Sequence, residues 1–228
     1  MYEYVEDKEL ISDMRELGRE LLHGMCRELK DEYGISATIH LVGSGKRKLI
    51  LRNGKGNIDL DYNLEIVKCE DFSDCRYIKE SAQRALNKVL REERLSDCRD
   101  STSALTTNLI HFNNRPDIEF SYDVCIIITN EDQNGEERYY RLIHKKTGFS
   151  WNDIYCWEEG PRTHRVKEKA EYIRKNGGWD ELREKYRALK NKYLTRNDHD
   201  HDHPSFICYV ETVNNVYNAM QQRMKHRK

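Results

Sequence analysis

Asp59 and Asp61 stand two positions apart in the segment 57–66, NIDLDYNLEI, which alternates strictly. Ile58, Leu60, Tyr62, Leu64 and Ile66 fall on one parity; Asp59, Asp61, Asn63 and Glu65 fall on the other. Alternation of period two predicts a half-buried β-strand, because successive side chains leave opposite faces of the pleat. The two aspartates then sit side by side on the open face. Carboxylates that close repel one another, and a strand has no reason of its own to place them so. A divalent cation supplies the reason, since hard ions such as Mg2+ prefer carboxylate oxygen.

Upstream, the β-rich run 35–42 delivers Gly43-Ser44, and Lys46, Arg47, Lys48, Arg52 and Lys55 make the next stretch locally basic. A glycine there permits close backbone approach, and a Ser hydroxyl with exposed N–H groups takes a phosphate oxygen. Read without the aspartates, the pair is an ordinary strand-ending turn, and the basic stretch is equally a solvated loop that neutralises nearby acids. A P-loop is excluded: Gly43-Ser44-Gly45-Lys46 lacks the earlier glycine, and Arg47 stands where Ser or Thr is required. Downstream, Asp117, Glu119, Ser121, Asp123 and Cys125 share one parity of a second alternating run. Parity alone does not choose a third carboxylate among Asp117, Glu119 and Asp123.

Gly43-Ser44, a loop, then Asp59-Leu60-Asp61 resembles the signature of the polymerase-β-type nucleotidyltransferase superfamily. Phe120-Ser121-Tyr122-Asp123-Val124 resembles the context of that superfamily's third carboxylate, which picks Asp123 and leaves Glu119 in reserve. The likeness covers residues 35–130, and the spacing from Ser44 to Asp59 is nearer the oligoadenylate-synthetase-like branch than the minimal type. It implies metal-dependent transfer of a nucleoside monophosphate from an NTP to an acceptor hydroxyl, with release of pyrophosphate. Asp59, Asp61 and Asp123 would be the catalytic, metal-binding residues, with Mg2+ or Mn2+ as cofactor. Gly43, Ser44, Lys46 and Arg47 would hold the nucleotide. The acceptor stays open among a small molecule, a protein hydroxyl, a second nucleotide and an RNA end. The alternative is a catalytically silent relative, serving as a nucleotide-binding or protein-interaction module of the toxin–antitoxin kind.

The elements that must position these residues are legible in outline. Apolar spacings of three and four predict a helix over 7–33 ended by Gly34, and a second over 73–94 with Ser73 as N-cap. The runs 103–112 and 118–129 read as a hairpin across Asn113-Asn114-Arg115-Pro116, with a further strand over 138–143 after Asn134-Gly135. A second basic loop, 144–148, leads to Trp151, Tyr155 and Trp157, rings that either stack on a nucleobase or seal a seam between subdomains. Helices follow over 163–175, 179–194 and 205–224, the last burying Phe206, Ile207, Tyr209, Val210, Val213, Val216, Tyr217 and Met220. The Asp/His run ending at His203 is either a metal-binding tract or a solvated linker. The expected fold is α+β: a small mixed β-sheet with helices on one face and the acidic site on the other. A catalytic domain over 1–150 would be followed by a helical subdomain over 151–228.

Composition narrows the setting. Charged residues make up 35% of 228, and 39 basic against 40 acidic side chains leave a net charge of −1. That balance argues against a dedicated DNA-binding surface. Mean hydropathy is −0.94. The acidic N-terminus carries no apolar signal-like stretch, and no run is long enough to span a bilayer. Seven scattered cysteines without a CxxC pair read as reduced thiols of a cytoplasmic protein.

Overall fold

The computed structural model describes residues 1–131, 137–160, 165–194 and 205–225. The elements begin with β1 (Tyr2–Tyr4), α1 (Lys8–Tyr33), β2 (Ser36–Leu41), α2 (Gly43–Arg47), β3 (Leu51–Asn53), β4 (Ile58–Lys68) and α3 (Cys75–Glu92). Then come β5 (Arg99–Asp100), β6 (Leu105–Thr106), β7 (Ile110–Phe112), β8 (Arg115–Glu131), β9 (Glu137–Lys145) and β10 (Ile154–Glu159). Three helices close the series: α4 (Val166–Lys175), α5 (Trp179–Leu194) and α6 (Ser205–Lys225). Two compact units result. One comprises Val5–Ile50 and Gly56–Gly160; the other comprises Met1–Tyr4, Leu51–Lys55 and Pro161–Lys228.

The first unit is built on a mixed, eight-stranded sheet whose main path runs β10-β9-β8-β4-β2. β4 and β8 are parallel, and the other pairings are antiparallel. Asp7 caps α1 by accepting from the Leu10 N–H at 2.9 Å, and Gly34, left-handed at φ 66°, ends it. The apolar parity of β4 is buried in one core with Met14, Leu21 and Met25 of α1 and Ile78, Ala82 and Leu86 of α3. Each of the Leu, Ile and Met side chains contributes about 1.5–3 kcal/mol on burial. Both helices thus take one face of β4, and its polar parity is left on the other.

Several local expectations are corrected. The basic stretch after β2 is not a loop throughout, because Gly43–Arg47 close one turn of helix through Lys46 N–H to Val42 O at 3.1 Å. Leu49 and Ile50 behind it are buried, which anchors its far end. The cap of α3 is Asp74, which accepts from the Tyr77 N–H, whereas Ser73 turns its N–H and hydroxyl to Asp71. The run 103–112 breaks into β6 and β7, since Thr107 gives its N–H to Tyr122 O and accepts the Tyr122 N–H on its hydroxyl.

His144, expected in an open basic loop, is a buried residue of β9. Its Nδ1 meets Asp100 at 2.5 Å and its Nε2 meets Asp153 at 2.8 Å. Lys79, also buried, pairs with Asp100 at 3.0 Å; burial lowers its pKa, and the Asp100 hydrogen bond and charge oppose that. The expected aromatic cluster has separate partners. Tyr155 stacks on His144, Trp157 donates to Phe72 O, and Trp151 lies 74% exposed against Phe149.

In the second unit, α4 and α5 pack on α6, and β1 pairs antiparallel with β3. Asn191 of α5 fixes β1 by hydrogen bonds to both the N–H and the C=O of Tyr2. α6 buries Cys208, Tyr209, Thr212, Val213 and Val216, while Ile207, expected inside, is 38% exposed. The Asn134-Gly135 turn and the Asp/His run ending at His203 lie outside the described residues. Among the described residues no helix is long and apolar enough to cross a membrane. All seven cysteines are free thiols.

Candidate active site

Parallel pairing of β4 with β8 sets Asp59 opposite Ser121 and Asp61 opposite Asp123. Paired residues of neighbouring strands point to the same face, about 4.8 Å apart along the hydrogen bonds. Asp59, Asp61 and Asp123 therefore share the sheet face that α1 and α3 leave uncovered. Glu119 does not join them: β4 begins at Ile58, opposite Phe120, and Glu119 is paired instead with His111 of β7.

The Gly-Ser segment reaches the same place from the other side. β2 runs antiparallel to β4, pairing Leu41 with Tyr62, and the Val42 N–H donates to Asp61 O at 2.9 Å. Gly43 then turns at φ 59°, with its α-carbon so close that a Cβ would lie 2.0 Å from Asp61 Oδ2. Only glycine fits both the backbone and the gap. Ser44 and Lys46 follow on α2, Ser44 half-buried and Lys46 exposed; Arg47 is half-buried. The structure thus brings Gly43 against Asp61, with Ser44 next in the chain and Lys46 and Arg47 at the end of the same short helix.

Hydrogen-bond donors that sequence spacing did not single out hold the carboxylates. Asn57 Nδ2 and the hydroxyl of buried Ser121 both donate to Asp59 Oδ1 at 2.6 Å. Thr106 of β6 donates its hydroxyl to Asp123 Oδ1 at 2.5 Å. Ser121 shares the parity of Asp123, and that was the available signal; Thr106 becomes a neighbour only through the β6–β8 pairing. Burial pushes the Asp123 carboxyl up and the charge of Asp59 adds to it, against the Thr106 bond and Arg99. Burial of the carboxylate first, with one like charge beside it, is the cause expected for such a shift.

Three carboxylates on two adjacent strands suit Mg2+ or Mn2+ in donor type and in backbone placement. As the side chains stand, the oxygens of Asp59 and Asp123 are turned to Asn57, Ser121 and Thr106. Among the described residues no three His, Cys, Asp or Glu side chains close into a metal-binding group.

A mixed sheet with this crossover, a Gly-Ser turn and aspartates on paired parallel strands define the nucleotidyltransferase fold. Solved structures share it. A Vibrio cholerae di-nucleotide cyclase mutant in complex with ATP and GTP matches with a TM-score of 0.57 at 11% identity, over 93% of this chain and 69% of its own. The Vibrio cholerae cyclic AMP-GMP synthase DncV, a prokaryotic cGAS homolog, matches at 0.52 and 10% identity, over 82% of this chain and 61% of its own. The Elizabethkingia meningoseptica cyclic dinucleotide synthase CdnE, with GTP and Apcpp, matches at 0.50 and 17% identity, over 92% and 78%. At these identities the likeness is one of fold. No family model matches the chain, and no curated protein matches it in sequence.

Proposed function

We propose that this chain is a nucleotidyltransferase that moves a nucleoside monophosphate from an NTP to a hydroxyl of a second nucleotide, releasing pyrophosphate. One observation carries the reading: the Gly43 turn is packed against Asp61, while Asp61 is in register with Asp123. A phosphate binder and a set of hard oxygen donors are thereby joined at one point. Ser44, with Lys46 and Arg47 behind it, would hold the β- and γ-phosphates, and Asp59, Asp61 and Asp123 would hold Mg2+ or Mn2+. That ion would offset phosphate charge and lower the pKa of the acceptor hydroxyl. The rest of the chain's work is positioning: in-line placement of acceptor and α-phosphorus needs no covalent intermediate. The dinucleotide-making enzymes among the fold neighbours favour a nucleotide as the acceptor over a protein hydroxyl or an RNA end.

The test is incubation with each labelled NTP, singly and in pairs, with Mg2+ or Mn2+. The expected result is release of one pyrophosphate per linkage: a single transfer gives a linear dinucleotide whose terminal phosphates phosphatase removes, and a second, intramolecular transfer releases another pyrophosphate and gives a phosphatase-resistant cyclic product. Asp123→Asn lowers the rate by at least about 100-fold, whereas Glu119→Gln leaves most of it. The silent-module alternative rests on a specific observation as well, that the carboxylate oxygens are engaged by neutral side chains. NTP binding without turnover under any metal would favour that alternative.

A further inference from the structure

A cavity of about 410 Å3 opens between α1 and the β2–β4 edge, on the face of β4 away from the aspartates. Its floor is apolar, made by Ile39, Leu41 and the ring of Tyr62. Tyr62 belongs to the parity opposite that of Asp61, so a ligand here is separated from the aspartates by the sheet. The rim is cationic. Arg15, Arg19 and His23 recur every fourth residue of α1 and so form one stripe above the floor.

The donors of this cavity are poorly used by the protein itself. Arg15 gives Nη2 to Gly45 O at 2.5 Å, but its Nε is buried and has no partner among the described residues. Arg19 pairs with Glu16 at 3.1 Å, and both side chains are more than half exposed. Arg15, Arg19 and Tyr62 line the same cavity, and the Tyr62 hydroxyl lies beside Gly18 of α1, the helix that carries both arginines. Two arginines from one side and a phenol O–H from another offer more donors, from more directions, than one planar carboxylate can accept. A tetrahedral, doubly charged oxyanion accepts them all.

We propose that this cavity binds a small phosphate-bearing effector, and that its occupancy is coupled to α2 through the Arg15–Gly45 hydrogen bond. Gly45 follows Ser44, so an anion that draws the Arg15 guanidinium toward the cavity shifts the back of the turn. The coupling rests on the reading of Ser44 as a phosphate holder; the binding does not. Glu16 is the one acidic group on the rim, and the anion displaces it from Arg19.

Inorganic phosphate is the probe, titrated without NTP or metal at constant ionic strength, with the melting temperature and calorimetric heat as readouts. The parent and Ser44→Ala are expected to show one saturable response, and benzoate a much weaker one. Arg19→Ala weakens phosphate binding about 10-fold, the loss of one charge-assisted pair of hydrogen bonds. Tyr62→Phe keeps the ring and weakens binding about threefold to fivefold. Equal responses in the parent, Arg19→Ala and Tyr62→Phe would overturn the proposal. So would a response lost in Ser44→Ala, which would move the anion to the aspartate face, or an equal response to benzoate. A protein that binds phosphate here but makes no product leaves this site standing, and the reverse result leaves the transferase standing.

Discussion

A methyl group at position 43 would lie 2.0 Å from a carboxylate oxygen of Asp61, in a backbone held at φ 59°. Gly54 sits at φ 57° with nothing within 4 Å of the same added atom. The two positions separate backbone strain from crowding. Gly54→Ala is expected to cost about 1–2 kcal/mol in urea unfolding, the left-handed penalty alone, and to leave nucleotide binding intact. Gly43→Ala carries the same penalty and in addition pushes the Asp61 carboxylate out of its place, so binding of NTP is lost with it. Equal behaviour of the two variants would mean that contact between the turn and Asp61 has no functional weight. The same pair of positions shows why residue types alone were ambiguous. A glycine before a serine looks alike in sequence whether it faces open solvent or a carboxylate.

Elements with a sustained period were legible: α1, α3, β4, β8 and α5 follow spacings of 3.6 or 2 that tertiary packing has no reason to override. Short ones were not. β1 exists because Tyr2 pairs with Asn53, and β6 because Leu105 pairs with Val124; neither partner is visible from a three-residue window. α2 lacks the length to show a period at all. His144 is held by two carboxylates, Asp100 far back in the sequence and Asp153 nine residues on, which turned a basic stretch into an internal bridge. The site divided along the same line: Asp59 and Asp61 were read from alternation and Asp123 was picked by the resemblance, whereas Thr106 needed the β6–β8 register. The pairing of α5 with α6 also lies beyond any window. Glu181 accepts two bonds from Arg223, at 2.8 and 3.1 Å, and one from Lys185 at 2.8 Å. The Arg223 and Lys185 hydrogen bonds bring its pKa from 4.5 to about 2. A depressed carboxyl stabilises the fold fully above its unfolded value and loses that contribution as pH falls through the folded value. Arg223 is 59% exposed, so solvent screening keeps the effect small. Arg223→Ala should therefore lower stability slightly at pH 7, with the gap to the parent narrowing below pH 4.5 and closing near pH 2. A gap that persists at pH 2 would assign the loss to packing of the Arg223 stem.

Taken whole, the molecule carries almost no net charge, 39 basic against 40 acidic side chains. General repulsion between like charges is therefore small, and local clusters decide how single charge changes affect the fold. The aspartate cluster is the clearest case. Burial first, and Asp59 second, raise the Asp123 carboxyl above its ordinary value of 3.8. Such a group favours the folded state below its unfolded pKa, where it is protonated, and that advantage is lost as pH rises through the folded pKa. At neutral pH the ionised Asp123 is a net cost to the metal-free protein. Asp123→Asn removes the charge and keeps an oxygen for Thr106 to donate to. In EDTA the variant should unfold at the same urea concentration as the parent or a higher one, with a gain of up to about 1 kcal/mol. Excess Mg2+ reverses the order, because an ion bound only by the folded parent adds RT ln(1 + [L]/Kd), about 2.7 kcal/mol at a hundred times Kd. If the aspartate is structural instead, the variant only takes a counter-charge from exposed Arg99, and it is less stable than the parent in EDTA, by up to about 1 kcal/mol. Mg2+ would then change neither protein. A loss in EDTA with no response to Mg2+ therefore rejects the metal site, and the crossing of the two curves on adding Mg2+ supports it.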